Sequence, residues 1–222
     1  MGGSSSRGTR GATISIAPGL LERGVAEFRR RWPTEDDLHA SLYEELAELT
    51  ASGLDRSSWE QLVDVLSDWR ALRPCTKVQI VGAGQPRLPE LERLRRALVS
   101  KARSPAKLDL GQLDSAHVFE LFREAERIKP TKSGSPMFAS KLCHFLAPGA
   151  YVVCDGVATS VVPSYDAYWN ACADAWRTCD RRDELKRMLA RETGRSPGDA
   201  YPWGAKIAEL CCIGARAAAN PT

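Results

Sequence analysis

Apolar residues recur along this chain at the three-and-four spacing of a helix, and hardly anywhere at the alternation of a strand. Leu20, Leu21, Val25 and Phe28 predict a first helix that ends near Trp32-Pro33. Thr34, with Asp36 and Asp37, caps a second, in which Leu38, Leu42, Leu46 and Leu49 share a face and which Gly53 closes. Asp55 opens a third, with a wide stripe of Trp59, Leu62, Val63, Leu66 and Trp69, stopped by Pro74. Leu88, Leu91, Leu94 and Leu98 mark a fourth. Asp114 or Ser115 starts the next, turning Val118, Leu121, Phe122 and Ala125 inward. After a polar loop at 129–134, Ser135 reads as an N-cap, with Pro136 at the first helical position, where its missing N–H costs nothing. Phe138, Leu142, Phe145 and Leu146 then face the core, and three more helices are expected over roughly 164–178, 181–192 and 204–218. The strand candidate is 78–81, Val-Gln-Ile-Val. The Gly82-Ala83-Gly84-Gln85-Pro86 that follows lacks the third glycine of a phosphate-cradling loop and reads as a turn.

The pattern predicts an all-α protein. Ser104-Pro105-Ala106 breaks it into two helical lobes, 16–103 and 104–222, behind a flexible Gly/Ser-rich tail over 1–15. At 222 residues the chain can bury one sizeable core, with two small lobes as the refinement. Neither an apolar run of membrane-spanning length nor a signal-peptide core is present, so no membrane partner is expected. Seven cysteines without CxxC or Cys/His ligand spacing point to reduced, cytoplasmic usage, and the distant His39, His117 and His144 offer no metal motif. No metal or organic cofactor is expected.

The net charge of +3 is mild, but the basic residues cluster. Arg93, Arg95, Arg96, Lys101, Arg103 and Lys107 follow one another with no acidic residue between them, and Lys129, Lys132 and Lys141 form a second acid-free stretch. A solvated helix face is the plain reading of such a run. Contact with phosphates, through Arg95, Arg96, Lys101, Arg103, Lys129, Lys132 and Ser135, is the sharper one.

The chemistry-bearing residues are Lys141 and Asp155. Lys141 stands three after Phe138 and four before Phe145, at the margin of the apolar face. Partial burial disfavours an ammonium and leaves a lysine amine able to attack an electrophilic carbon. Asp155 closes the apolar run Tyr151-Val152-Val153-Cys154 and opens a small-residue stretch. As an N-cap or as a steadying charge it would remain ionised. His144, one turn from Lys141, is a candidate for proton transfer, though a lone histidine on a helix is more often structural. Tyr165, Tyr168, Trp169 and Trp176 fall at helical spacing and read first as a core stripe. Tyr168, Trp169 or Trp203 could instead wall a pocket for an extruded base. Lys206 and Glu209 read as a surface helix pair.

Ala139-Ser140-Lys141, Val152-Val153-Cys154-Asp155 and the phrase Ser140-Lys141-Leu142-Cys143-His144-Phe145-Leu146-Ala147-Pro148 together resemble the lyase-type helix-hairpin-helix DNA glycosylases. They look closest to prokaryotic proteins of the 8-oxoguanine glycosylase fold, some of which are thought to accompany antiviral defence genes. Tyr201-Pro202-Trp203 leading into Lys206-Ile207-Ala208-Glu209-Leu210 is similar to the same group, and the resemblance spans roughly 113–215. It implies a site between the two lobes and DNA, single-stranded or modified, as partner. It also implies a mechanism in which Lys141 forms a Schiff base at the sugar while Asp155 stabilises the transition state, with strand-cleaving lyase activity as an extension. The chain departs from the family in three places, one of them a spacing from Lys141 to Asp155 shorter than in many members. Thr131-Lys132-Ser133-Gly134-Ser135 replaces the glycine-rich hairpin that grips phosphate, and Val157 stands where a histidine often follows the aspartate. A non-catalytic nucleic-acid-binding or assembly module of the same fold is the alternative, and a purely structural helical domain a third.

Overall fold

The computed structural model describes residues 13–35, 37–51, 54–72, 80, 88–103, 108–128, 136–154, 164–196 and 201–220. Nine helices run through them: α1 (Pro18–Arg31), α2 (Ala40–Ala51), α3 (Arg56–Asp68), α4 (Leu88–Ala102), α5 (Ser115–Ile128), α6 (Pro136–Leu146), α7 (Tyr165–Thr178), α8 (Arg182–Thr193) and α9 (Trp203–Ala219). No strand occurs among the described residues. Of the candidate strand at 78–81 only Ile80 is described, and it is buried and helical.

The helix starts follow from side chains that satisfy free N–H groups. Asp55 caps α3 by accepting from the Ser58 N–H at 2.9 Å, and Ser164 caps α7 by accepting from the Ala167 N–H at 3.2 Å. Asp37 accepts from the N–H groups of His39 and Ser41, so α2 begins at Ala40, later than the apolar spacing predicts. Leu38 and His39 spend that interval in the left-handed region, at φ 55° and 68°, while still burying their side chains. α8 ends on Gly194 at φ 68°, whose N–H bonds back to the Ala190 carbonyl, a helix stop that suits a residue without Cβ.

One cluster of buried side chains draws on all nine helices, from Leu21 and Phe28 of α1 to Ile207 and Ile213 of α9. The segments expected as two lobes therefore share a core. α1 lies along α9, and their backbones meet at two glycines. A Cβ on Gly24 would stand 1.9 Å from the Leu210 carbonyl oxygen, and one on Gly214 would stand 2.1 Å from that of Leu20. α6 occupies the middle of the fold, packed against α2, α3, α4 and α5. Eight of its side chains are buried, including Ser140 and His144, which the apolar pattern does not flag. Among the described residues no helix is long and apolar enough to cross a membrane.

Candidate active site around Lys141

Lys141 projects from the edge of α6, half-buried, and its Nζ donates to the Trp69 carbonyl at 2.6 Å while lying 5.7 Å from the centre of the Trp69 ring. Trp69 is the C-cap of α3, so the ammonium sits at the negative end of that helix, where a cation is favoured. Arg70, immediately after it, is held at φ 55°. The indole is wedged between the ring of Phe145, at 4.8 Å, and that of His39, at 4.4 Å.

Asp155, Lys129, Lys132 and Ser135 lie outside the described residues. The chain leading to Asp155 is nonetheless fixed as far as Cys154. Residues 151–154 run buried and without helix or strand, and side chains bond three of their backbone groups. The Cys154 N–H donates to the buried Ser140 hydroxyl at 3.0 Å, and the Tyr165 hydroxyl donates to the Val152 carbonyl at 3.1 Å. His144 Nδ1 meets the Tyr151 carbonyl at 2.6 Å. The residue before Lys141 is thus bonded to the residue before Asp155. Ser140 is a buried tether between α6 and the 151–154 segment that the apolar spacing does not announce; its signal was a hydroxyl among the apolar residues of α6.

His144 points into the core. A carbonyl only accepts, so Nδ1 carries the proton, and Nε2 accepts from the Tyr43 hydroxyl at 2.8 Å. Burial holds this imidazole down to about 4, against the upward pull of the Tyr151 bond. Both nitrogens are committed, and the residue ties α2 and α6 to the 151–154 segment. Tyr168 and Trp169 are fully enclosed, with the Trp169 Nε1–H donating to the Ala150 carbonyl at 2.9 Å, and so belong to the core stripe. Trp203 does line a cleft of about 350 Å³, together with Tyr43, Phe145, Tyr201, Lys186 and Asp109.

Lys206 and Glu209 correct the sequence reading outright. They are an ion pair at 3.0 Å, but the lysine side chain is 0% exposed and the carboxylate is also buried. The cause is the glycine contact between α1 and α9, which draws this face of α9 beneath α1. Lys206 Nζ lies 4.5 Å over the Phe28 ring and 3.2 Å from His39 Nδ1. An ammonium offers only donors, so His39 Nδ1 accepts and the ring is neutral, with its protonated Nε2 toward the Glu35 carboxylate at 3.6 Å. Burial first, then Lys206, His144 and Lys141, drive the His39 imidazole far below its ordinary value. A chain of contacts therefore runs Glu209–Lys206–His39–Trp69–Lys141.

Two histidines held neutral make the fold sensitive to acid. Between pH 6.5 and about 4 the unfolded chain binds protons that the folded one refuses, so stability falls as pH drops through that window. His144 alone accounts for about 3 kcal/mol, complete once the pH is below its folded value, and His39 adds in the same direction. Urea unfolding midpoints at pH 7, 5.5 and 4 should decline in that order; a flat series would show that neither ring is excluded from protonation.

The basic run divides on folding. Arg95 turns inward, donating to the Leu54 carbonyl and pairing with Glu92 at 2.9 Å, its side chain 12% exposed. Lys101 bridges to Glu120 at 2.6 Å and Glu124 at 3.5 Å on α5. Arg93, Arg96 and Arg103 are exposed. Among the described residues no group of histidines, cysteines or carboxylates could hold a metal ion, and no disulfide joins the six described cysteines. No family model, curated protein or solved structure matches this chain.

Proposed function

We propose that this protein is a lysine-dependent N-glycosylase acting on nucleic acid, in which Lys141 attacks the sugar C1′ and Asp155 steadies the positive charge that develops there. The Lys141 ammonium first gives up one proton; its nitrogen lone pair then forms the new C–N bond while the glycosidic electrons leave with the base, which takes up a proton in turn. Opening of the sugar then yields an iminium on Lys141. The observation that carries this reading is the Ser140–Cys154 hydrogen bond, which anchors the chain one residue short of Asp155 beside the residue that precedes Lys141. Lys141 itself is half-buried on a rigid helix, a placement suited to a nucleophile that must be reachable and held in one place.

The non-catalytic alternative has its own support. Lys141 is docked on the Trp69 carbonyl, a contact that a purely structural lysine would also make. Borohydride reduction in the presence of lesion-bearing oligonucleotides separates the two. The glycosylase yields a covalent protein–DNA adduct, and a module that only binds yields none.

Asp155→Asn sharpens the test. An amide oxygen still caps a helix, so the variant should fold and bind like the parent. It lacks the charge, and a preorganised electrostatic group of this kind is worth roughly 3–4 kcal/mol, or about 100- to 1000-fold in rate. Single-turnover base release should slow accordingly; undiminished release would leave Asp155 a cap and nothing more.

A further inference from the structure

The outer face of α4 presents three arginines that folding leaves for something outside the chain. Arg93, Arg96 and Arg103 are all exposed, and Ser100 is the other exposed residue between them on that side. At 100° per residue these four positions fall within about 80° of one another around the helix, and 93 to 103 spans about 15 Å along it. Arg103 stands one residue past the end of the helix and continues the stripe. The opposite face, with Leu91, Leu94, Leu98 and Ala102, is buried.

The other described basic residues of the run, Arg95 and Lys101, are spent internally. Arg95 sits at one margin of the buried face on the Leu54 carbonyl, and it also occupies Glu92, the carboxylate nearest the stripe in helical phase. Lys101 sits at the other margin, on Glu120 and Glu124. Elsewhere the exposed arginines divide: Arg23, Arg70, Arg123, Arg182, Arg187 and Arg191 also make no ion pair among the described residues, while others hold or share a carboxylate. Arg29 has Glu192, Arg30 and Arg31 share Glu27, Arg127 has Glu124, Arg177 has Asp174 and Arg181 has Glu184. Arg93, Arg96 and Arg103 make no ion pair among the described residues.

We infer that the Arg93–Arg96–Arg103 stripe of α4 is a docking surface for the phosphodiester backbone of a nucleic-acid strand. This rests on the nucleic-acid reading above and names the surface that holds the strand. A guanidinium presents a planar fork of donors that matches phosphate oxygens two at a time. A span of about 15 Å covers four to five nucleotides of one strand at 3.4 Å each, enough for three successive contacts. Such contacts set register and affinity and read no sequence.

Fluorescence anisotropy with labelled single- and double-stranded oligonucleotides, titrated with salt, tests the surface. The Arg93→Ser/Arg96→Ser/Arg103→Ser variant should melt like the parent and lower the slope of log affinity against log salt by about 2–3, since each phosphate contact contributes about 0.7–0.9. The loss should be similar for every sequence. Arg95→Ser/Lys101→Ser should melt earlier and keep the parental slope. An unchanged slope in the triple variant overturns the inference, and so does a slope lost only in the double. Tighter binding to phosphatidylserine vesicles than to any oligonucleotide would assign the stripe to a membrane surface instead. A wild-type protein that binds with full salt dependence and never traps a covalent adduct removes the glycosylase reading and leaves this surface standing. One that binds no oligonucleotide removes both.

Discussion

Lys141→Gln is expected to abolish borohydride trapping while the far-UV circular dichroism and the melting curve stay close to those of the parent. The two halves of this expectation come from the two things the side chain does. As a donor it satisfies the Trp69 carbonyl at the end of α3, and a glutamine amide, though one atom shorter, still carries N–H donors toward that carbonyl. As an amine it supplies the lone pair that forms the covalent link, and an amide has no such nucleophile. Lys141→Ala would lose both and should also melt earlier. If Lys141→Gln still traps, and Lys129→Gln or Lys132→Gln does not, the attacking amine lies in the segment that precedes α6 in sequence.

Glu209→Ala is expected to cost about 3–5 kcal/mol of stability, read from urea unfolding at pH 7, because it strands the Lys206 ammonium in the core. A surface pair at the same spacing would lose about 1 kcal/mol or less. Lys206→Met should be comparably damaging from the other side, leaving the Glu209 carboxylate buried without its cation. The double variant Lys206→Met/Glu209→Leu should recover most of the loss, since replacing both members of a buried pair by apolar groups is often neutral. A double variant no better than the worse single would mean that each residue is held by separate partners and that the pair is not the unit. The variants also test the reach of the cluster. Lys206 fixes His39, and His39 packs on the Trp69 ring beside Lys141, so trapping efficiency should fall with the singles before global unfolding does.

Helical periodicity made most of the fold legible. The starts of α3, α6 and α7 follow from Asp55, Pro136 and Ser164, and the buried faces of α3, α5 and α6 are those the spacing marks. What escaped was set by residues distant in sequence. Nothing near Lys206 announces that α9 passes under α1; that depends on Gly24 and Gly214, one on each helix. A run of like charges likewise says nothing about which members find carboxylates on another element, and Arg95 and Lys101 were absorbed in that way. At the site, Lys141 was found from its place at the edge of an apolar face. Its dock, a backbone carbonyl 72 positions away, has no side-chain signature to read. Ser140 was legible in principle, because a hydroxyl on a buried face needs a partner, but which partner depended on how 151–154 threads the core.

The glycine contact between α1 and α9 also sets an order of events during synthesis. The ribosome makes α1 before the other described helices and α9 after them, and the Leu210 carbonyl that fits against Gly24 does not exist until nearly the whole described chain has been added. At roughly 5–20 residues per second, α1 waits on the order of ten seconds or more with Leu21, Val25 and Phe28 uncovered. The local pairs α4–α5 and α5–α6 can close long before that. A nascent chain stalled before α9 should therefore hold its central helices while leaving α1 open to protease, and the final step of folding should be the joining of the two ends of the fold.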